Sequence, residues 1–99
     1  MNMKHAFLSL FILLSVSAVG QNSIYFQVND EEGENLIGAT IVIDGTTNGG
    51  ITDAEGKYHL QNIPNGSINF VISYVGYEPQ SKTLIFPESN GKTMVIIME

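Results

Sequence analysis

The feature that most constrains the fold of this chain is a series of short segments in which apolar and polar residues alternate. In residues 24–28 (IYFQV) the first, third and fifth side chains are apolar and would lie on one face. A period of two residues is typical of a β-strand, whereas an amphipathic helix has a period of 3.6 residues. The β-branched and aromatic residues of these segments also favour a pleated, half-buried surface. The pattern therefore predicts β-strands.

Five more segments show the same alternation, and turns rich in Gly, Asn, Asp and Pro separate them about every ten residues. The residues expected to face the interior in these segments are, in chain order, Ile37, Ala39, Ile41 and Ile43; Tyr58 and Leu60; Ile68, Phe70, Ile72 and Tyr74; Leu84 and Phe86; and Met94, Ile96 and Met98. Lys82 shares the face of Leu84 and Phe86, so this face is expected to be only partly buried. Six or seven short strands of this kind predict an all-β sandwich with no helix in residues 21–99.

The first 20 residues have a different pattern, which predicts a cleaved signal peptide. Lys4 and His5 give a short positive start, residues 6–16 are almost wholly apolar, and small residues precede a predicted cut between Gly20 and Gln21. A membrane-spanning helix needs about 20 apolar residues, and this run is shorter. The absence of Cys excludes a lipoprotein anchor. We expect an exported protein whose domain is residues 21–99, with no membrane span in the mature chain, located in the periplasm, at the outer membrane or outside the cell.

The charge of the predicted mature chain excludes some classes of partner. Residues 21–99 contain three Lys, no Arg and ten Asp or Glu, a formal charge of −7. Binding to nucleic acid needs clustered cations that contact phosphates, and anionic lipid headgroups would also repel this chain. Without Cys there is no disulfide to support so small a domain, so its stability must come from its core, a metal or a partner.

The glycine-rich stretch of residues 45–60 (GTTNGGITDAEGKYHL) raises the question of a phosphate or calcium site. A phosphate-binding loop needs Lys and Ser or Thr after its last Gly, but Ile51 and Thr52 follow Gly50. The carboxylates of Asp53 and Glu55 are too few for an EF-hand loop. We interpret 53–56 as a tight turn in which Asp53 accepts a backbone N–H and Gly56 takes a positive φ, and we expect strands 50–53 and 57–60 to pair across it.

No set of side chains carries a catalytic signature. After signal cleavage His59 is the single imidazole, and its position in the alternation points it outward, where a lone His is usually solvated. There is no Cys nucleophile and no G-x-S-x-G motif, and one His is too few for zinc. We therefore expect no enzyme activity, no metal and no cofactor.

Two aromatic residues have two interpretations. Tyr74 and Tyr77 flank Val75 and Gly76. In one interpretation the rings cover the core, as buried aromatics do in sandwiches. In the other, they form an exposed platform that binds a sugar or a protein. They are the candidate interaction surface.

Four stretches, in this order along the chain, resemble the carboxypeptidase regulatory-like domain. They are residues 36–49 (LIGATIVIDGTTNG), 52–60 (TDAEGKYHL), 63–66 (IPNG) and 73–77 (SYVGY). The version they resemble is found ahead of the plug and barrel of TonB-dependent outer-membrane transporters, including the starch-utilisation type. The resemblance covers most of residues 24–98 and implies a seven-stranded prealbumin-like (transthyretin-like) sandwich, in agreement with the strand count.

The resemblance also implies a role. The family supplies no catalytic residues, and its glycines and Asp53 hold turns. Departures are the absence of Gly in residues 24–28, Asn35 where Pro is common, and the lack of a plug or barrel after Glu99. The chain is therefore expected to be either a free-standing exported module or a fragment of a longer TonB-dependent receptor.

The leading hypothesis is a non-enzymatic binding or scaffolding module whose partner is another envelope protein, such as an outer-membrane transporter or its partner. Pairing at an open sheet edge is a physical route to such binding. The alternatives are a carbohydrate-binding module that uses Tyr74 and Tyr77 and, as the weakest, an enzyme of the prealbumin-like hydrolase type. Those hydrolases use His-rich and Arg-bearing motifs, and this chain has no Arg.

Overall fold

The computed structural model describes residues 20–99, which form seven β-strands and no helix. The predicted signal peptide lies outside the described residues, apart from Gly20. The strands are β1 (Asn22–Asp30), β2 (Thr40–Ile43), β3 (Gly49–Ile51), β4 (Lys57–Ile63), β5 (Gly66–Ser73), β6 (Gln80–Phe86) and β7 (Thr93–Met98). The all-β prediction is confirmed, with a strand at each alternating segment. No helix in residues 20–99 is long and apolar enough to cross a membrane.

The strands form two sheets of unequal size. The first sheet has three strands in the order β4-β1-β7, and the second has four in the order β3-β2-β5-β6. The pair β1–β7 is parallel, and the other pairs are antiparallel. The seven-stranded sandwich is thus confirmed, with one strand fewer in the first sheet than in the second.

The core lies between the sheets and consists mainly of residues that the alternation placed inward, together with Leu36 and Ile63, which were not predicted. Phe70 contacts Phe26 and Phe86 edge to face, with ring centroids 5.3 and 6.1 Å apart. The other fully enclosed large side chains are Ile24, Val28, Ile41, Leu60, Ile63, Ile72, Ile96 and Met98. Burying one such side chain contributes about 1.5–3 kcal/mol, so this core is the main source of stability in a domain without a disulfide.

The prediction that Ile37 belongs to the core is wrong. Ile37 is 57% exposed, while its neighbours Leu36 and Ala39 are buried. Gly38 has φ +83°, and the chain turns there before β2 begins at Thr40. The alternation in β2 therefore does not extend back through this turn to Ile37.

The predicted pairing across the turn at residues 53–56 is also wrong, although the turn itself forms. Gly56 N donates to Asp53 O at 2.9 Å, and Gly56 has φ +76° as expected. However, β3 pairs with β2 in the second sheet, and β4 pairs with β1 in the first. The turn therefore connects the two layers of the sandwich, because the chain crosses from one sheet to the other at the buried residue Thr52.

Candidate binding surface

The outer edge of β7 is one of the free strand edges of the sandwich. In the described part of the chain, β7 pairs with β1 on one side and with no strand on the other. It is six residues long, or roughly 20 Å. A free strand edge presents a row of N–H and C=O groups to which another strand can bind.

The hydrogen bonds of β1 show which peptide groups of β7 face this open edge. Tyr25 N donates to Lys92 O at 2.9 Å, whereas Val28 N donates to Gly56 O on the side of β4. Alternate residues of β1 therefore turn their peptide groups toward β7.

The peptide groups of β7 alternate in the same way. Those of Met94, Ile96 and Met98 face β1, and those of Thr93, Val95 and Ile97 face the open edge.

A groove of about 650 Å³ runs between the open edge of β7 and the edge strand β6 of the other sheet. Gln80 and Lys82 line it from β6, and Val95 and Ile97 line it from β7. Gln80 Nε2 donates to Ile97 O at 2.6 Å, so a side chain from β6 occupies one acceptor of the β7 edge. This bond agrees with the outward direction of the Ile97 peptide group.

The groove is open because, within residues 20–99, the first sheet has no fourth strand beyond β7. Gln80 and Lys82 are opposite Ile72 and Phe70 of β5, which face the core, so all four side chains lie on the inner face of the second sheet. With no strand beyond β7 to cover them, Lys82 is exposed and Leu84 is half-buried. The expectation of a partly buried face on β6 is thus confirmed.

The surface beside the open edge of β7 is apolar. Val95 is 61% exposed and Ile97 is 41% exposed, both on the outer face of the first sheet. No charged residue lies within β7 itself. At the ends of the strand the side chains are charged, with Glu78 and Glu99 together at one end and Lys92 at the other.

On the opposite side of the sandwich, the turn at residues 53–56 and a side-chain bond join β3 to β4. Asn48 Nδ2, beside β3, donates to Gln61 O of β4 at 2.9 Å. Nearby, Thr52 is buried, with its Oγ1 donating to Leu36 O at 2.6 Å and accepting from Ala39 N at 2.9 Å. The two sides of the sandwich therefore differ, and the open edge lies on the side of β6 and β7.

Tyr74 and Tyr77, the candidate interaction surface from the sequence, lie at the end of β5. Both rings are half-buried against the core, with centroids 5.8 Å apart and planes tilted by 48°. Val75 between them is 94% exposed. A stacking platform needs two exposed, coplanar rings, so the geometry matches core cover more closely. Binding at this pair stays a prediction.

His59 lies on the outer face of the first sheet, as its place in the alternation indicated, but it is not simply solvated. Its ring stacks on Tyr25, with centroids 4.1 Å apart and planes 4° from parallel. Its Nε2 atom is enclosed and has no hydrogen-bond partner among residues 20–99. In this part of the chain no group of three or more His, Asp or Glu side chains is arranged to hold a metal.

The sequence does not show that β7 is an edge strand, because this depends on which strands become neighbours. One feature of the β7 sequence nevertheless sets it apart from a protected edge. The outward set of β7 (Thr93, Val95 and Ile97) contains no charge, whereas an exposed strand edge usually carries one.

Comparison with known proteins agrees with this architecture. The chain is 43% identical over 70 residues to the TonB-dependent receptor SusC of Bacteroides thetaiotaomicron, in the N-terminal region of that receptor. It is 35% identical over 60 residues to the TonB-dependent receptor P39 of Formosa agariphila. These stretches are 70% and 61% of this chain but 7% and 6% of the two receptors, so the chain spans a small part of their length.

Solved structures with the same fold are more distant in sequence. A chain in a type II cohesin–X-dockerin complex of Acetivibrio cellulolyticus superposes with a TM-score of 0.65 at 18% identity, covering 78% of this chain and 56% of that one. The Caf1A usher C-terminal domain superposes with a TM-score of 0.54 at 13% identity, covering 77% and 97%. At such identities the likeness shows the fold alone. The family is given by the sequence: residues 24–99 match the CarboxypepD_reg-like domain, and the chain belongs to that family.

Proposed function

We propose that this protein is an exported, non-catalytic binding module whose partner is another protein of the cell envelope. The observation that carries the proposal is the open edge of β7, with exposed apolar side chains beside it and a groove below it. The kinship with TonB-dependent receptors supports an envelope location. The same kinship leaves two forms of the proposal, a free-standing module and a fragment of a longer receptor.

Co-purification tests the binding role. The protein is purified after export with an affinity tag at its amino end, because a tag at the carboxyl end would follow β7 directly, and is incubated with detergent-solubilised envelopes. We expect one envelope protein to be enriched relative to a heat-unfolded sample of the same bait. Enrichment of no envelope protein would contradict the proposal.

The non-catalytic part of the proposal rests on the surroundings of His59. Its ring stacks on Tyr25, and within residues 20–99 the Nε2 atom has no hydrogen-bond partner that could activate it. Hydrolytic turnover that survives purification and disappears in His59→Ala would show that the protein is an enzyme. We expect the chain to be inactive with esters, amides and glycosides alike.

Carbohydrate binding is a second candidate, favoured by one observation. Tyr74 lines a cleft of about 300 Å³ together with Gly38, Thr40, Ser73 and Val75. The tilt between Tyr74 and Tyr77 weakens this candidate, since a sugar ring stacks on a flat platform. Titration with soluble glucans is the test. A heat of binding that disappears in Tyr74→Ala would support it, and unchanged tyrosine fluorescence with no heat would remove it.

A further inference from the structure

We propose that the partner supplies an extended segment that adds to β7 as the fourth strand of the first sheet, antiparallel to β7 because antiparallel pairing is slightly more stable per residue than parallel pairing. This inference rests on the proposed function and specifies its binding mode. The first sheet has three strands and the second has four, so an added strand would cover the exposed inner face of β6. Each backbone group of such a segment that faces β7 would bond to an N–H or C=O that β1 does not use.

Of the two edge strands that border the groove, the composition favours β7 over β6 as the binding edge. The edge residues of β6 include Ser81, Lys82 and Thr83, which are polar and exposed. Charged side chains, lysine above all, protect an edge strand from pairing. β7 has no charge between Thr93 and Met98, and its outward side chains Val95 and Ile97 would contact apolar side chains of the added strand.

Gln80 acts as a side-chain cap on this edge. Its amide donates to Ile97 O, the position that an N–H of an added strand would otherwise occupy. A side-chain cap can rotate away when a strand binds, whereas a backbone bond cannot. The structure therefore combines an edge able to bind with a small, removable block at one position.

The charges at the ends of β7 define the segment that would bind. Glu78 and Glu99 lie together where β7 ends, since Glu78 N approaches Glu99 O at 3.4 Å, and Lys92 lies where β7 begins. An antiparallel segment therefore fits best with a basic residue at its amino end and an acidic residue at its carboxyl end. Between them, apolar residues alternate with polar ones.

A second copy of this chain is the competing occupant. Its own β7 has a lysine before it and a glutamate after it. Each copy, however, carries three lysines against ten carboxylates in residues 20–99, a formal charge of −7 that opposes the approach of another copy. We therefore assign the edge to a different protein, and sedimentation of the free protein identifies the competing case.

Two peptides of the same composition test the proposal. The first is an eight-residue peptide with blocked ends, in which threonine and valine alternate between an amino-terminal lysine and a carboxyl-terminal glutamate. The second exchanges the lysine and the glutamate. In an NMR titration of the exported protein at low salt, we expect the first peptide to shift the amides of Thr93, Val95 and Ile97. The second should bind about fivefold more weakly, because two attractive charge contacts become repulsive.

Two proline variants distinguish binding at the edge of β7 from binding at the edge of β6. In Val95→Pro the lost N–H faces the open edge, where proline is tolerated in a sheet, so we expect the fold to persist and the affinity to fall at least about tenfold. The control is Thr83→Pro on β6: its partner Asn69 turns its carbonyl to Asp44 N, so the Thr83 N–H also faces outward. We expect Thr83→Pro to bind as the unchanged chain does.

The outcomes that overturn the inference are equal binding of the two peptides, loss of binding in Thr83→Pro instead of Val95→Pro, or a dimer in sedimentation.

If Val95→Pro does not fold, Gln80→Ala replaces it. Removing the Gln80 cap should tighten peptide binding about threefold, and an unchanged or weaker affinity contradicts the proposal. Capture of the same envelope protein by the unchanged and Val95→Pro chains would overturn strand addition and leave the proposed function standing.

Discussion

Among single residues, Thr52 holds the loop before β2 in place from a buried position beside the turn at residues 53–56. It follows a short strand and has an exposed neighbour on each side, Ile51 and Asp53, yet it is 2% exposed. Its hydroxyl bonds to the backbone of Leu36 and of Ala39, in a loop that precedes β2. A threonine beside a predicted turn gives no local sign of this role, because the atoms it satisfies lie more than ten residues earlier.

Thr52→Val should destabilise the fold by about 2–4 kcal/mol. The substitution keeps the shape of the side chain but leaves the buried Leu36 C=O and Ala39 N–H without a partner. Urea unfolding measures the loss. Thr52→Ser, which retains the hydroxyl, is the control and should lose much less, and equal losses in the two variants would show that the hydroxyl is unimportant.

Substitution of Gly56 and of Gly33 compares two turns that look alike in the sequence but leave different amounts of space for a side chain. Both have positive φ, but a Cβ on Gly56 would lie 2.5 Å from Val28 O, whereas a Cβ on Gly33 would meet nothing within 4 Å. Gly56→Ala should therefore cost about 3 kcal/mol or more, and Gly33→Ala about 1–2 kcal/mol. Chemical unfolding of both variants gives the comparison, and a smaller loss at Gly56 than at Gly33 would contradict this difference.

At the scale of elements, the sequence was sufficient for the strands and insufficient for their partners. A strand is visible locally because alternate side chains of β1 or β5 meet either the core or solvent, and both were predicted closely. Pairing depends on residues far apart in the chain, so the tight turn at 53–56 suggested a hairpin between β3 and β4. The structure places these strands in different sheets, and the same long-range pairing creates the open edge of β7.

The side-chain hydrogen bond that joins Asn48, beside β3, to β4 gives a prediction about these two strands. Asn48→Ala should destabilise the fold by about 1 kcal/mol, because it removes the bond from its side chain to Gln61 O that joins the two layers. Thr47→Ala, at an exposed neighbouring position, should change the free energy of unfolding by less than about 0.5 kcal/mol. Thermal unfolding of the two variants is the measurement, and equal melting temperatures would remove this bond from the account.

At the scale of the whole molecule, a small acidic sandwich without disulfides depends on its apolar core. The described carboxylates lie mainly in exposed turns, and the ion pair Lys57–Glu55, at 3.5 Å, is exposed on both sides. Exposed pairs of this kind contribute little to stability. The remaining charge favours solubility.

Removal of metal ions should leave stability unchanged. No group of three or more potential ligands meets in residues 20–99, and the oxygens of Asp53 and Asp30 accept backbone N–H groups of their own turns. Thermal melting of the exported protein with and without EDTA is the check. A melting temperature that falls on chelation and recovers with calcium would show that the acidic turns bind a metal after all.

The proposed binding surface requires that, among the described strands, β7 pairs on one side alone. Amide hydrogen exchange of the free protein, followed residue by residue by NMR, measures this directly. We expect protection to alternate along the strand, with Met94, Ile96 and Met98 exchanging slowly through their bonds to β1 and Thr93, Val95 and Ile97 exchanging at least about tenfold faster. Equal protection of all six amides would show that this edge is already covered, and would contradict the proposed binding surface.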